Sequence, residues 1–475
     1  MANLLASLLT SSQALGAYTK VLQVTQNNVA NASTPGWARQ SLPLIALQSD
    51  LIAGATGGVD VGHVQSARNE YAEQAVRRES SALGNAQQAV GSLTSLQSIF
   101  DISGQTGISY SLNQFFQASS AWAQTPGDQA TRQLVIDRAT DVAHDFQSAA
   151  VQLQHLSLDT DKQLQATVNQ IHQLVSQVQA YNHQILQNGE GKNDSGIDAQ
   201  VHAALENLSQ LVDITAVQED DGTTTILVNG MAPLLMGDRQ YDLRVVNTAG
   251  APNVPSTTKL LAADGTDITS NTKDGQLGAL LDMRNSVLPS YLGDAGQPGD
   301  LNRLAAAFAD RVNQLFTTGN LSDGPPPVAG VPMFTYDQGN PPNVARSLAV
   351  DPTLTPDQLA AISPGPPYVS NGVPLALSNL ATPTDAADEL DGFSFTEFYG
   401  NLASGAGSKL QIAQQSEQVH QSLLAQAQDQ RQQLSGVNLD EEAMMLVEFQ
   451  RAYQANSRVI TVLDQLTEEV VNLIH

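Results

Sequence analysis

The sequence predicts a mainly α protein with terminal coiled-coil helices, a long helical rod domain and a small inserted β-rich outer domain. Three observations lead to this prediction. Apolar residues recur in alternating steps of four and three at both ends of the chain, a long helical pattern covers residues 128–187, and strand and turn signals cluster within residues 211–272. Helical halves that enclose a β-rich middle imply a chain that runs out along a rod and returns.

Both chain ends have the seam pattern of a coiled coil, with apolar side chains on the a and d positions of successive heptads. Either helix alone would also fit an ordinary amphipathic helix packed on a globular core. The same seam at both ends makes a terminal coiled coil an equally good explanation. The seam residues that we expect to be covered are Leu8, Leu15, Leu22, Val29, Leu446, Phe449, Ile460, Leu463 and Val470.

The remaining elements follow from local periodicity and from turn residues. Proline cannot continue a helical hydrogen-bond ladder and glycine accepts turn dihedrals, so the two residues mark the boundaries of elements. In the first half of the chain we predict a helix over 1–32, extended chain over 41–66 with a Gly-rich turn at 54–58, helices over about 70–100 and 107–124, and the rod helix over 128–187, closed by Gly189, Gly191 and Gly196. In the second half we predict strands at 223–228 and 241–246, helices over 277–288 and 301–316, and helix from 393 to the end with a break at Ser435-Gly436.

The middle of the chain contains a β-rich insertion and a proline-rich stretch. Asn229-Gly230 is typical of a two-residue hairpin turn. Residues 321–384 hold 13 of the 21 prolines, a density that no regular helix survives, so we expect a loop-rich excursion or linker there. We divide the chain into an axial coiled-coil domain of residues 1–45 and 411–475, a helical rod domain of 46–210 and 273–320 with 390–410, a β-rich insertion of 211–272, and a Pro-rich loop excursion of 321–389.

The composition restricts the possible partners. The chain has 475 residues, with 47 acidic and 21 basic side chains and a formal net charge of −26. Nucleic acids and anionic membrane surfaces are both bound by clustered Lys and Arg, so we expect no nucleic acid and no membrane among the partners. The strong negative charge instead favours a subunit that stays soluble before assembly.

Cysteine usage and the first residues of the chain bear on where the protein functions. There is no cysteine, which weakly favours export in an unfolded state because no disulfide can form early. The N-terminal residues lack the basic region of a secretory signal, and no run of 18 apolar residues could span a membrane. We therefore expect a protein that stays in the cytosol or leaves by a route that does not read such a signal.

The residue types that catalyse reactions or bind metals form no recognisable pattern. Asn438-x-x-Glu441 has the spacing of a capping box, and a cap with anions in the first helical turn explains the neighbouring carboxylates. The eight histidines lack metal-ligand spacing, and the chain has no His-Glu-x-x-His and no Gly-x-Ser-x-Gly sequence. We predict that the protein is not an enzyme and has no catalytic, cofactor-binding or metal-binding residues and no cofactor.

The motifs at the two ends resemble those of the rod, hook and hook-associated axial proteins of the bacterial flagellum. The N-terminal motif is Asn-Asn-x-Ala-Asn-x-x-Thr-Pro-Gly-Trp-x-Arg-Gln, and the C-terminal motif is Ser-Gly-Val-Asn-Leu-Asp-Glu-Glu-Ala followed by Phe-Gln-Arg-Ala-Tyr-Gln-Ala-Asn. Trp37 departs from the pattern, because Tyr or Phe is usual there. The residues carrying the resemblance are Asn28, Ala30, Asn31, Thr34, Pro35, Gly36, Arg39, Ser435, Gly436, Val437, Asn438, Leu439, Glu441, Glu442, Gln450, Arg451, Tyr453 and Ala455.

Inner stretches at about 110–190, 275–318 and 393–402 make the chain most similar to the hook-associated protein 1 family, the first hook–filament junction proteins. The resemblance implies a structural subunit needed for filament assembly, which forms a ring of its own copies between hook protein and the second junction protein. It also implies type III export, a flagellar export chaperone on the C-terminal helix and an extracellular location. The alternatives are another axial protein (hook, rod or second junction protein) or a secreted coiled-coil adhesin or effector.

Overall fold

The structure is a computed structural model that describes residues 2–50, 55–100, 105–187, 194–248, 256–324 and 326–472. The predicted mainly α fold is confirmed. The helices are α1 (Ala2–Asn31), α2 (Glu70–Gln97), α3 (Gly107–Gln124), α4 (Gln129–Gln187), α5 (Ser195–Leu211), α6 (Gly275–Asp282), α7 (Leu288–Leu292), α8 (Asp300–Thr318), α9 (Val344–Ser347), α10 (Gly372–Asn379), α11 (Phe395–Ser435) and α12 (Leu439–Asn472). A π-helical turn, Met283–Val287, joins α6 to α7.

The strands form small antiparallel sheets. They are β1 (Gln40–Ser41), β2 (Leu44–Asp50), β3 (Ala55–Val61), β4 (Gln65–Ser66), β5 (Ile214–Gln218), β6 (Thr224–Val228), β7 (Ala232–Met236), β8 (Arg239–Gln240), β9 (Arg244–Thr248), β10 (Thr257–Leu261), β11 (Asn320–Ser322), β12 (Val328–Ala329), β13 (Phe334–Thr335) and β14 (Ala349–Val350). One sheet has four strands in the order β5-β6-β7-β8, and β2 pairs with β3 in a hairpin. The predicted turn between β6 and β7 is confirmed, with Asn229 at φ 49 and Gly230 at φ 69.

The predicted rod helix is the single helix α4, which has 59 residues. The predicted break in the last helical stretch is also confirmed, because α11 ends at Ser435 and α12 begins at Leu439. Glycine is required between them, since a Cβ at Gly436 would lie 2.4 Å from the carbonyl oxygen of Gln432. Gly189 and Gly191, expected to close the rod helix, lie outside the described residues, whereas Gly196 lies in the first turn of the next helix, α5. The turn expected at 54–58 is wrong for residues 55–58, which belong to strand β3 and pair with β2.

The chain divides into two compact units. Unit 1 comprises Met1–Ser81, Ile171–Tyr241 and His420–His475, and it contains α1, the β2–β3 hairpin, α5, the four-stranded sheet and α12. Its sheet is fastened to α4 by the buried Asn182, whose Nδ2 donates to the Thr224 carbonyl at 2.9 Å while its Oδ1 accepts from the Thr224 amide at 2.9 Å. The boundaries of the two units differ from those of the four regions expected from the sequence. The division into four regions stays a prediction.

Unit 2 comprises Ala82–Gln170 and Asp242–Val419 and has an aromatic core centred on Phe308. The ring centroids of Phe115, Phe334 and Phe395 lie 5.5, 5.5 and 5.6 Å from that of Phe308. The prediction that residues 321–389 hold no regular helix is wrong, because α9 and α10 lie within them, and Pro374 is accepted in the first turn of α10, where the amide needs no helical partner. The stretch does more than link two helices, since its apolar side chains enter this core. The fully buried ones include Met333, Ala345, Leu348, Leu359, Ala360, Leu377 and Leu380. None of the helices in the described ranges combines the length and the hydropathy that a membrane-spanning segment requires.

Candidate functional site

The two ends of the chain meet in unit 1, where α1 and α12 pack side by side with opposite directions. Asn456 Nδ2 donates to the carbonyl oxygen of Ser11 at 2.7 Å. Further along the pair, the rings of Tyr18 and Phe449 lie with their centroids 6.1 Å apart. These contacts set a register in which the heptad positions of α1 face the heptad positions of α12, as expected for an antiparallel coiled coil.

This pairing covers the predicted seam only in part. Val29 is 38% exposed. The most buried residues of α1 are Ala17, Val21, Thr25 and Asn28. Thr25 falls on the heptad count between Leu22 and Val29, whereas Ala17, Val21 and Asn28 lie on an adjacent face. The helix α1 also packs against β3 of the hairpin, which the heptad pattern does not mark. The half-buried seam residues are Leu8, Leu15, Leu22, Leu446, Phe449, Ile460, Leu463 and Val470.

A buried polar cluster joins the end of α1 to the start of α12. Asn28 pairs with the backbone of Gln40 as a strand would, donating from Nδ2 to the carbonyl at 2.8 Å and accepting from the amide at 2.9 Å. The same Nδ2 lies 3.1 Å from Glu442 Oε2, and Arg39 Nε donates to Glu442 Oε1 at 2.7 Å. Glu442 has no exposed surface, so its charge depends on these donors.

The end of α11 is part of the same cluster. The carbonyl of Ser435 accepts from the Arg39 amide at 2.8 Å, and its Oγ accepts from the Asn69 amide at 3.0 Å. We call Asn28, Arg39, Gln40, Ser435 and Glu442 the terminal clasp. It ties the segment after α1 to both helices at the C-terminal end of the chain.

The residues after the Ser435-Gly436 break position the start of α12. Val437 is buried, and Asn438 caps the helix by accepting from the amide of Asp440 at 3.0 Å, which agrees with the predicted cap. Leu439 is 53% exposed and the side chain of Glu441 is 54% exposed. Of the three consecutive carboxylates, therefore, only Glu442 enters the clasp.

The Thr-Pro-Gly loop is fixed against α5. Gly36 has φ 75, and a Cβ there would lie 2.2 Å from the carbonyl oxygen of Ala199, so only glycine fits. Thr34 begins the turn by donating from its amide to the carbonyl of Asn31 at 2.9 Å. Pro35, between them in the motif, is exposed.

A charge network that the sequence did not suggest supports this loop. Arg68 Nη2 donates to the carbonyl of Gly36 at 2.7 Å, and the same guanidinium binds Asp198 at 2.6 Å and Glu73 at 2.6 Å. Arg431 reaches Glu73 at 3.3 Å. No local signal could have identified these residues, because Glu73 and Arg431 are 358 positions apart and none of them belongs to a recognisable motif.

The structure does not bring every motif residue into the clasp. The exposed ones on α1 and α12 are Ala30, Leu439, Glu441, Gln450, Arg451, Tyr453 and Ala455. Alongside them α12 has a row of exposed apolar side chains on the faces turned away from α1. This outer row consists of Met444, Val447, Val459, Val462 and Leu466, which are between 43% and 65% exposed.

The clasp has the composition of a structural joint and not of a reactive centre. Its carboxylate is bound by donors, and it contains no nucleophile paired with a base. Across the described ranges, no group of three or more His, Cys, Asp and Glu side chains could hold a metal ion. A cavity of about 440 Å³ in unit 2 lies between α2 and α6 and is lined by Asn85, Leu93 and Lys273 among others, without convergent catalytic groups.

Comparison with known proteins connects these features to one group. Residues 93–334 match the flagellar hook-associated protein FlgK helical domain, and residues 428–473 match the C-terminal region of flagellar basal body rod FlgEFG proteins. Hook-associated protein 1 of Bacillus subtilis is 24% identical over 98% of this chain and 97% of its own length. The Escherichia coli protein of the same name is 23% identical over 97% and 98%. The structure of the flagellar hook junction protein FlgK from Burkholderia pseudomallei has the same fold, with a TM-score of 0.63 and 15% identity over 76% of this chain and 99% of that one.

Proposed function

Because the chain belongs to the family of the flagellar hook-associated protein FlgK, it is a structural protein of the bacterial flagellum, and we propose that it forms the junction between hook and filament. In this role its copies form a ring at the end of the hook and provide the surface on which the filament assembles. Hook protein is the neighbour on one side of the ring, and the second junction protein is the neighbour on the other.

The observation that most supports this proposal is the state of the paired terminal helices. The clasp holds α1 and α12 together, and the outer row of α12 stays exposed in a single chain. A run of exposed apolar side chains along one helix is typical of a surface that another protein covers. Repeated head-to-tail contacts through such a surface close into a ring or continue as a helical lattice.

The exposed motif residues fit the same role. Gln450, Arg451 and Ala455 belong to the motif shared with axial proteins, yet they are exposed on α12. We infer that they contact neighbouring copies or hook protein in the assembled flagellum. Motif residues that make no packing contribution within the single chain are expected to bind another protein.

We further propose that the chain is exported unfolded through the flagellar type III apparatus and functions outside the cell. Before export, a cytosolic chaperone covers the outer row of α12, since exposed apolar surface favours aggregation. The absence of cysteine is compatible with this route. The protein acts through assembly, and we assign it no catalytic activity and no cofactor.

Deletion of the encoding sequence tests the proposal. We expect hooks without filaments, with flagellin lost to the medium, and restoration of filaments by the wild-type chain. Immuno-electron microscopy of isolated flagella should place the protein at the hook–filament boundary. Normal filaments on the deletion strain would exclude a junction role, and protein found only in the culture medium would indicate the secreted adhesin or effector alternative.

A further inference from the structure

One histidine in unit 1, largely covered by its neighbours, takes no part in the terminal clasp. His202 lies on α5 with its side chain 10% exposed, and its Nδ1 is buried with no hydrogen-bond partner among the described residues. A cavity of about 30 Å³ lies beside it, lined also by Glu70, Arg77, Asp194 and Asp198. Buried polar atoms normally have partners, so an unpaired ring nitrogen at such a cavity calls for an explanation.

Three carboxylates face the His202 ring without binding it. Nε2 lies 3.6 Å from Asp198 Oδ1 and 3.9 Å from Glu70 Oε1, and Nδ1 lies 3.9 Å from Glu73 Oε2. All three distances exceed the 2.7–3.2 Å of an N–H···O hydrogen bond. The carboxylates are therefore close enough to interact electrostatically with an imidazolium but are not placed to accept its protons.

These carboxylates are already bound by arginines. Arg68 binds both Asp198 and Glu73 at 2.6 Å, and Arg77 lies 3.8 Å from Glu70. From α11, Arg431 approaches Glu73 at 3.3 Å, and it binds the remaining carboxylate of the cluster, that of Glu206, at 2.7 Å. The negative charge around the ring is thus largely compensated before any proton arrives.

We propose that His202 is a proton-operated latch, whose neutral ring is accommodated between α2, α5 and α11 and whose protonation in acid loosens unit 1. Burial, together with the charges of Arg68, Arg77 and Arg431, holds the pKa of His202 well below 6.5. In the unfolded chain, therefore, His202 binds a proton near pH 6.5, whereas in the folded chain it binds the proton only at a lower pH. Stability from this residue is present above pH 6.5 and is lost as the pH falls from there toward the folded pKa.

A neighbouring carboxyl acts in the opposite direction. Although the Glu70 side chain is 60% exposed, partial desolvation raises its pKa above 4.5. The folded chain therefore binds that proton more readily than the unfolded chain does, and Glu70 favours folding as the pH falls. Asp194 and Glu206 also belong to the surroundings. The contribution of His202 to the pH dependence of stability must therefore be isolated by comparing variants. This inference does not depend on the proposed junction function.

The test is urea unfolding of the full chain between pH 7.5 and pH 5, comparing wild type with His202→Gln. We expect the folding equilibrium constant of wild type to fall below pH 6.5 by up to about tenfold per pH unit relative to His202→Gln. His63→Gln, at an exposed position between β3 and β4, is the matched control and should follow wild type. An identical pH dependence in wild type and His202→Gln would overturn the proposal.

A second measurement decides the matter even where His202→Gln does not fold. In wild-type chain with isotopically labelled histidine, the seven other histidines are assigned from single His→Gln variants, which leaves the His202 resonance. We expect His202 to titrate below pH 6.5. The loss of stability to urea should appear over the same pH range. A His202 midpoint at or above 6.5 would refute the latch.

Discussion

Removing the carboxylate of Glu442 should separate the two ends of the chain. Glu442 has no exposed surface, and its two oxygens are bound by Arg39 at 2.7 Å and Asn28 at 3.1 Å. Substitution by Ala leaves a guanidinium and an amide without their acceptor in a buried position. Glu442→Gln keeps the shape of the side chain but replaces one carboxylate oxygen by an amide nitrogen. Either Arg39 or Asn28 then faces a donor in place of its acceptor.

The size of the effect can be set from the geometry. Breaking a fully buried ion pair costs about 3–5 kcal/mol, and losing a hydrogen bond to a charged group costs about 1.5–3 kcal/mol. The Arg39 side chain is 29% exposed, so water compensates part of the loss. We therefore expect Glu442→Ala to lower the free energy of unfolding of unit 1 by about 2–4 kcal/mol, and Glu442→Gln by about 2 kcal/mol.

The two tryptophans allow each unit to be followed separately. Trp37 lies between α1 and β1, and Trp122 is fully buried in the core of unit 2. In a Trp122→Phe background, the fluorescence of Trp37 reports urea unfolding near the clasp. Glu441→Gln is the matched control, because Glu441 is 54% exposed and 4.0 Å from Arg39, and it should change stability by less than about 0.5 kcal/mol. Equal values for the changes at Glu441 and Glu442 would refute the role assigned to the clasp.

Three further substitutions test other parts of unit 1. Gly36→Ala should cost about 2 kcal/mol or more in chemical unfolding, because of its positive φ and the close approach of Ala199, whereas Gly237→Ala, also at positive φ but in open space, should cost about 1 kcal/mol. Asn438→Ala removes the cap of α12 and should cost about 1 kcal/mol, and a circular dichroism melt without change would contradict it. Leu463→Asp, in the half-buried seam, should leave the far-UV spectrum of the purified chain nearly intact but abolish complementation of motility, so a mutant that swims normally would remove the seam from the assembly argument.

The features that the sequence predicted are mostly local ones. The rod helix, the Asn229-Gly230 turn, the break at Ser435-Gly436 and the cap at Asn438 each depend on residues within a few positions of one another. The prediction of a structural flagellar protein is confirmed, and it rested on motifs at the two ends of the chain. Local chemistry and a specific motif can both be read without knowing the tertiary fold.

The features that the sequence did not predict depend on distant contacts. Arg68 gave no signal, because its partners Glu73 and Asp198 are ordinary surface-type residues until α2 and α5 pack together. Leu348 and Leu359 lie among prolines without helical or strand periodicity, so their burial in unit 2 could not be inferred from spacing. Val21 is buried although it lies off the heptad count, and α1 has a second partner in β3 of the hairpin, which a heptad count does not include.

The terminal clasp also makes the stability of unit 1 depend on residues from both ends of the polypeptide. Asn28 and Glu442 are separated by 414 positions, so α1 cannot pair with α12 until nearly the entire chain has been synthesised. Joining ends so far apart adds only modestly to the entropy of closure, since each doubling of the span costs about 0.6 kcal/mol. A copy truncated before α12 would leave Asn28 and Arg39 without their carboxylate. The full stability of unit 1 therefore requires a chain that extends through Glu442.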